Sequence, residues 1–136
     1  MSNQSFKSLG LNDMIVSVTE KLFFKQPTEI QRQAIPIILE GKSIVGQSQT
    51  GSGKTHAFLL PLLNDLDATK SDVQIVITAP TRELAIQLFE EVKTIRKIAN
   101  KDDVWKMRLI IGGLDRKKMM EQLSSSTPHI VVGTPG

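Results

Sequence analysis

Apolar positions along the chain alternate between helix-like and strand-like periods. Leu11, Ile15, Val18 and Leu22 repeat at about 3.6 residues behind Asn12-Asp13, which predicts a first helix over Asp13 to Phe23. Thr28 and Gln31 form a T-x-x-Q capping box behind Pro27. Ile30, Ala34, Ile37 and Ile38 then give the apolar face of a second helix, which Gly41 ends. Ser43 to Gly46 is a short β-prone run. Phe58, Leu59, Leu62, Leu63 and Leu66 predict a helix over Lys54 to Leu66, with Pro61 inside it to bend it or remove one hydrogen bond. Val73 to Ala79 is a near-continuous apolar run, the mark of a strand covered on both faces. Arg82 to Ala99 follows as a long amphipathic helix with Leu84, Leu88, Val92, Ile95 and Ala99 along one stripe. Val104 to Ile111 reads as a strand, Arg116 to Leu123 as a short basic helix and Ile130 to Val132 as a further strand. Strands alternating with helices predict an α/β fold with a parallel sheet flanked by helices.

The strand, loop and helix around Ser43 to Leu66 enclose the run Gln49-Thr50-Gly51-Ser52-Gly53-Lys54-Thr55, whose chemistry is that of a phosphate-binding loop. Glycines let backbone N–H groups turn inward, Lys54 can reach the β- and γ-phosphates, and Thr55 can offer its oxygen to Mg²⁺. The positive end of the following helix adds to the attraction. By composition, Gly-x-Gly-Lys-Thr arises by chance in roughly one chain of this length in a few hundred, so an ordinary glycine turn is the weaker explanation. The strict G-x-x-x-x-G-K-[ST] pattern fails at its first position, Ser48, and the flanking strand and helix carry the decision instead.

With 136 residues the chain has the size of one domain or part of one. Seventeen Lys and Arg against fourteen Asp and Glu leave a net charge of +3, compatible with a polyanionic partner but not diagnostic of one. There is no cysteine, so neither disulfides nor thiolate metal sites are available, and the two histidines have no ligand spacing. No apolar run approaches a membrane span and Met1 to Lys7 is polar, so a cytoplasmic protein without a membrane partner is expected.

Other segments admit two readings each. The ring of Phe24 suits stacking on a base and the amide of Gln31 suits the edge of adenine, yet Phe24 equally suits a core and Gln31 equally completes the capping box. Ala79 to Ala85 lies where a buried strand runs into a helix, the end at which open α/β sheets place ligands. There Thr81 caps the helix, and Arg82 either holds a phosphate or is a solvated charge. Gly112-Gly113 and Gly133 to Gly136 end strands in turns that serve a sugar-phosphate chain or simply reverse direction. The basic cluster Arg116-Lys117-Lys118 with Lys93, Arg96 and Lys97 is a phosphate-tracking or a solvated face. His56, His129 and Trp105 are expected to carry no site chemistry, with Trp105 packed in the core.

Taken in order, residues 23–31, 48–55, 79–85, 112–113 and 134–136 resemble the Q motif, motif I, motif Ia, the GG motif and the start of motif Ib of the DEAD-box ATP-dependent RNA helicases. Phe6, seventeen residues before Phe23, falls where that family has an isolated upstream aromatic. The resemblance spans essentially the whole chain and implies the amino-terminal part of a first RecA-like domain, a P-loop NTPase fold incomplete at its C-terminus. It implies that Phe24, Thr28 and Gln31 hold adenine, and that Ser48, Gln49, Thr50, Gly51, Ser52, Gly53, Lys54 and Thr55 hold ATP and Mg²⁺. Lys54 and Thr55 would be the catalytic members. It further implies that Pro80, Thr81, Arg82, Gly113, Thr134, Pro135 and Gly136 lie along an RNA backbone, with little sequence preference and strong salt dependence.

In the family, ATP and RNA together close two RecA-like domains, one strand bends, a short duplex falls apart and hydrolysis resets the enzyme. Phe23 stands where the Q motif often has glycine and Ser48 where motif I often has alanine. No Asp-Glu-Ala-Asp follows in this chain, so hydrolysis by these residues alone is not expected, because phosphoryl transfer depends on carboxylates that position metal and water. The alternative is a non-catalytic fragment that binds RNA or a partner.

Overall fold

The computed structural model of the chain describes residues 5–46, 53–111 and 127–135. They fall into two compact units, residues 1–65 and 66–136.

The first unit holds three helices, α1 (Asp13–Lys21), α2 (Glu29–Leu39) and α3 (Lys54–Asn64). Their apolar faces meet through Ile15, Val18, Ala34, Ile35, Ala57, Leu59, Leu60 and Leu63, all buried. Asn12 ties the start of α1 to the end of α3: its N–H donates to Asn64 Oδ1 at 2.7 Å while its own Oδ1 accepts from Ile15 N–H at 2.9 Å. Pro61 lies inside α3, and Pro36 inside α2, without ending either helix. Ser43 to Gly46, expected as a strand, is not one. Val45 is 92% exposed and Ile44 38%, and among the described residues no strand pairs with this run, which leaves its β propensity unused.

The second unit is a parallel sheet with a helix packed on it. Its elements are β1 (Ile75–Thr78), α4 (Arg82–Ile98), β2 (Met107–Ile110) and β3 (Ile130–Gly133), and the strand order is β1-β3-β2. Register aligns Ile75, Ile130 and Met107 across the sheet, with Ile77 beside Val132 on the same face. That face is buried, and α4 packs on β3 and β2 with Ala85, Leu88, Val92 and Ile95 inward. Two expectations need correction. β1 is not covered on both faces: Ile75 and Ile77 are buried while Val76 is 65% exposed, because among the described residues only one side of the strand is covered. The buried stripe of α4 starts at Ala85 rather than Leu84, which is 38% exposed, while Leu88, Val92 and Ile95 are buried as expected. Trp105 is buried as expected. The helix expected over Arg116 to Leu123 lies outside the described residues.

His129, expected to be inert, joins three segments of this unit. It is buried, its Nδ1 accepts from the N–H of Lys106 at 3.1 Å, and its Nε2 lies 2.9 Å from the carbonyl of Lys70. The Lys106 donor fixes Nδ1 as the acceptor, so the proton sits on Nε2 and is given to Lys70.

Helices α1, α2 and α4 end in the same way. The residue after each C-cap adopts a left-handed backbone, and two N–H groups fold back on carbonyls three and five residues earlier, the Schellman arrangement. Gly41 (φ +81°) and Asn100 (φ +58°) fill this position after α2 and α4, but Phe23 (φ +64°) fills it after α1. Here Phe23 N–H donates to Glu20 and Phe24 N–H to Thr19, each at 3.0 Å. A Cβ in this region costs about 1–2 kcal/mol, while glycine loses about 0.5–1 kcal/mol more entropy on folding. Phe23→Gly is therefore expected to stabilise the helical unit by about 0.5–1 kcal/mol, seen as a melting temperature a few degrees higher.

Candidate functional site

Three of the four described helices begin alike. Asn12, Thr28 and Thr81 cap α1, α2 and α4 with a side-chain oxygen, and Asp13, Glu29 and Glu83 place a carboxylate in each first turn. Helix α3 begins with Gly53, has no capping side chain or acidic residue, and presents exposed Lys54 first. Among the described residues no side chain caps its first N–H groups, and a cation stands where helix polarity favours an anion. Such a terminus suits a phosphate.

The Phe24 to Gln31 segment is fastened to that terminus. Gln31 is 2% exposed. Its Oε1 accepts from Thr28 N–H at 3.0 Å, its own N–H donates to Thr28 Oγ1 at 3.4 Å, and its Nε2 donates to the carbonyl of Gly53 at 3.2 Å. One amide therefore completes the capping box of α2 and grips the residue that starts α3. Only a second N–H and a second lone pair remain on the amide for any base. Gly53 has φ +88°, and a Cβ there would lie 2.5 Å from Gln31 Nε2 and 3.0 Å from Thr28 Oγ1. Gln31→Glu keeps a side chain able to close the capping box but removes the donor and sets a carboxylate against the Gly53 carbonyl. A loss of about 1–3 kcal/mol is expected in urea unfolding followed by circular dichroism.

Phe24 is half-buried. Its ring centroid lies 6.3 Å from that of Phe6 and 5.0 Å from that of His56, the latter edge-on at 83°. Burial holds the His56 imidazole below its ordinary pKa, because desolvation disfavours the charged form. The unfolded chain takes up this proton first as pH falls, so His56 lowers stability on acidification through the ordinary histidine range. A cavity of about 210 Å³ lies between α2, α3 and residues 44–46; among the described residues Lys54 is its one charged lining group, set among apolar neighbours such as Ile30, Ala34 and Phe58. That lining is wrong for phosphate.

A second set of expected residues gathers in the sheet unit. Thr78 pairs in register with Gly133, so Pro80, Thr81 and Arg82 leave β1 at the same sheet edge where Thr134 and Pro135 leave β3. Ala79 N–H donates to the Gly133 carbonyl at 3.0 Å, and Thr134 N–H to that of Ile110 at 3.1 Å. Pro80, Thr81, Arg82 and Pro135 are exposed and Thr134 half-buried. Ser48, Gln49, Thr50, Gly51, Ser52, Gly113 and Gly136 lie outside the described residues.

A family model described as "DEAD/DEAH box helicase" matches residues 28–136. The chain belongs to the DEAD/DEAH box helicase family. It is 46% identical over 136 residues to the DEAD-box ATP-dependent RNA helicase CshB of Bacillus cereus, covering all of this chain and 31% of that protein. CshB of Bacillus subtilis gives the same identity and coverage. The chain thus spans about a third of the length of these curated relatives. Among solved structures, a DEAD box protein from the hyperthermophile Methanococcus jannaschii matches with a TM-score of 0.84 at 37% identity, over 97% of this chain and 35% of that one. Mss116p bound to ssRNA and AMP-PNP matches with a TM-score of 0.87 at 32% identity, over 99% of this chain and 28% of that one. The RecA-like parallel α/β fold expected from the motifs is the fold of this DEAD-box chain.

Sequence reasoning misses three structural roles around the candidate site. His56 lacks a partner at catalytic spacing and packs on Phe24 instead. Gly53 has the spacing of a phosphate-loop glycine, which says nothing of its being the seat of Gln31. Gly133 belongs by sequence to a turn, yet a Cβ on it would collide with the backbone oxygen of Ile110. The capping box gives one hint, since a buried N3 amide has a second donor to place.

Proposed function

We propose that residues 1–136 form part of the first RecA-like domain of an ATP-dependent RNA helicase and supply its ATP-binding half. Phe24 and Thr28 flank the base, Gln31 reads adenine with its remaining donor and acceptor, and the loop from Ser48 to Thr55 holds the triphosphate. The observation that carries the reading is the start of α3 at Gly53-Lys54-Thr55, which no described side chain caps and which Gln31 holds through the Gly53 carbonyl.

Mg²⁺ fits as a cation held by the Thr55 hydroxyl and the phosphates together. Among the described residues no cluster of His, Asp and Glu could hold it alone, and Mg²⁺ is commonly bound through one or two protein ligands plus phosphate. When bound, it neutralises charge on the transferred group. The contribution of the residues named here is binding and orientation. Pro80 to Arg82 and Gly113, with Thr134 to Gly136, would follow an RNA strand through its backbone, which gives affinity without an address. A cytoplasmic site of action accompanies that reading, since both ATP and RNA are there. No helix among the described residues is long and apolar enough to cross a membrane.

A titration with fluorescent ATP tests the proposal. The chain is expected to bind it, ATP is expected to compete better than GTP, and Lys54→Ala is expected to weaken binding about 10–100-fold, the worth of a charge-assisted hydrogen bond. No nucleotide binding at all, with the fold intact by circular dichroism, would overturn it.

A further inference from the structure

Phe23 combines two features that folding does not reward. Its backbone is left-handed, at φ +64°, and its side chain is 89% exposed. The same turn after α2 and α4 is made by Gly41 and Asn100, which enter that region readily, so the Schellman arrangement does not call for a large ring. Strained non-glycine residues cluster at active sites and ligand clamps.

The neighbouring Phe24 packs against the start of α3. Its ring is hemmed in by Phe6 at 6.3 Å and by His56 at 5.0 Å, and His56 belongs to the first turn of α3, beside Lys54 and Thr55. Phe24 is thus anchored in protein contacts at the candidate site. The Cα of Phe23 is one peptide step, about 3.8 Å, from that of Phe24, and among the described residues its ring has no comparable cover.

We infer that Phe23 is a base-stacking residue of this site, its ring packing on the nucleobase that Phe24 flanks. The inference rests on the nucleotide-site reading given above. Every base has a π-face, so stacking on Phe23 adds affinity without choosing adenine over guanine. That choice is left to hydrogen-bonding groups such as Gln31.

Calorimetric titration of the chain with ATP, GTP and inorganic tripolyphosphate, on the parent and on Phe23→Gly and Phe23→Trp, provides the test. Phe23→Gly is expected to weaken ATP and GTP by the same factor, about tenfold. It should leave tripolyphosphate binding unchanged and raise the melting temperature. Phe23→Trp should retain ATP affinity. A variant that melts higher yet binds less tightly separates ligand contact from any structural role. Unchanged ATP affinity in Phe23→Gly, or equal loss of tripolyphosphate, overturns the inference while the site reading stands. Unchanged ATP affinity with lost self-association in sedimentation assigns the ring to a second copy of the chain and overturns it too. A parent chain that binds neither ATP nor tripolyphosphate refutes the site reading and this inference with it.

Discussion

Gly53→Ala is expected to destabilise the helical unit by about 2–4 kcal/mol and to remove nucleotide binding. Two effects add. Alanine at φ +88° enters a region that costs about 1–2 kcal/mol, and its Cβ would sit 2.5 Å from Gln31 Nε2 and 3.0 Å from Thr28 Oγ1. The amide end can swing away, but only by giving up both its bond to the Gly53 carbonyl and its bond to Thr28 N–H, leaving buried groups unpaired at about 1–3 kcal/mol. Gly41→Ala isolates the first effect, since Gly41 has φ +81° and no described atom lies within 4 Å of where its Cβ would stand. Urea unfolding of both variants, with fluorescent ATP binding measured alongside, separates backbone strain from the lost contact. Equal destabilisation of the two variants would show that the Gln31 contact contributes nothing.

Gly133→Ala is expected to cost the sheet unit about 3 kcal/mol, a large share of the 5–15 kcal/mol typical of a whole domain. Here the obstacle is the Ile110 carbonyl oxygen, with the Ile110 carbonyl carbon at 3.3 Å and its Cβ at 3.4 Å, and a paired backbone cannot swing aside as a side chain can. The ends of β2 and β3 must splay. That motion breaks the bond from Thr134 N–H to the Ile110 carbonyl and frees the backbone of Thr134 beside Pro80 to Arg82. Unfolding followed by the fluorescence of buried Trp105 reads the first effect, and salt-dependent binding of single-stranded RNA reads the second. A change below about 0.5 kcal/mol would mean the sheet relaxes without opening.

Helix starts and the order of elements were legible because each rests on neighbours in sequence. Asn12, Thr28 and Thr81 cap the helices they were expected to begin or flank, and the T-x-x-Q box at Thr28 and Gln31 closes as its spacing requires. Contacts between distant residues were harder to see. Nothing local tells Gln31 to reach Gly53, twenty-two positions on, or His129 to bridge Lys70 and Lys106. The apolar run at Val73 to Ala79 suggested cover on two faces, yet how many layers a strand receives depends on other elements. Ser43 to Gly46 makes the same point, since β propensity reports a fit to a partner as much as a backbone preference. At Phe23 the sequence marked an oddity, and only the backbone angle of +64° revealed its physical meaning.

The strand order β1-β3-β2 also governs when the sheet can assemble. Of these three strands the last to be synthesised is the middle one, and β1 pairs with β2 nowhere along its length. From Thr78 to Gly133 the ribosome needs about 3–11 s at its usual pace; β1 waits through that interval, and β2 from Ile110 onward, for the β3 backbone that joins them. Closing contacts of such long sequence separation is slow even afterwards. The nascent polypeptide therefore passes through a window in which Ile75 and Ile77, buried in the finished sheet, are open to chaperones or to aggregation, and codon usage upstream of Ile130 sets how long that window lasts.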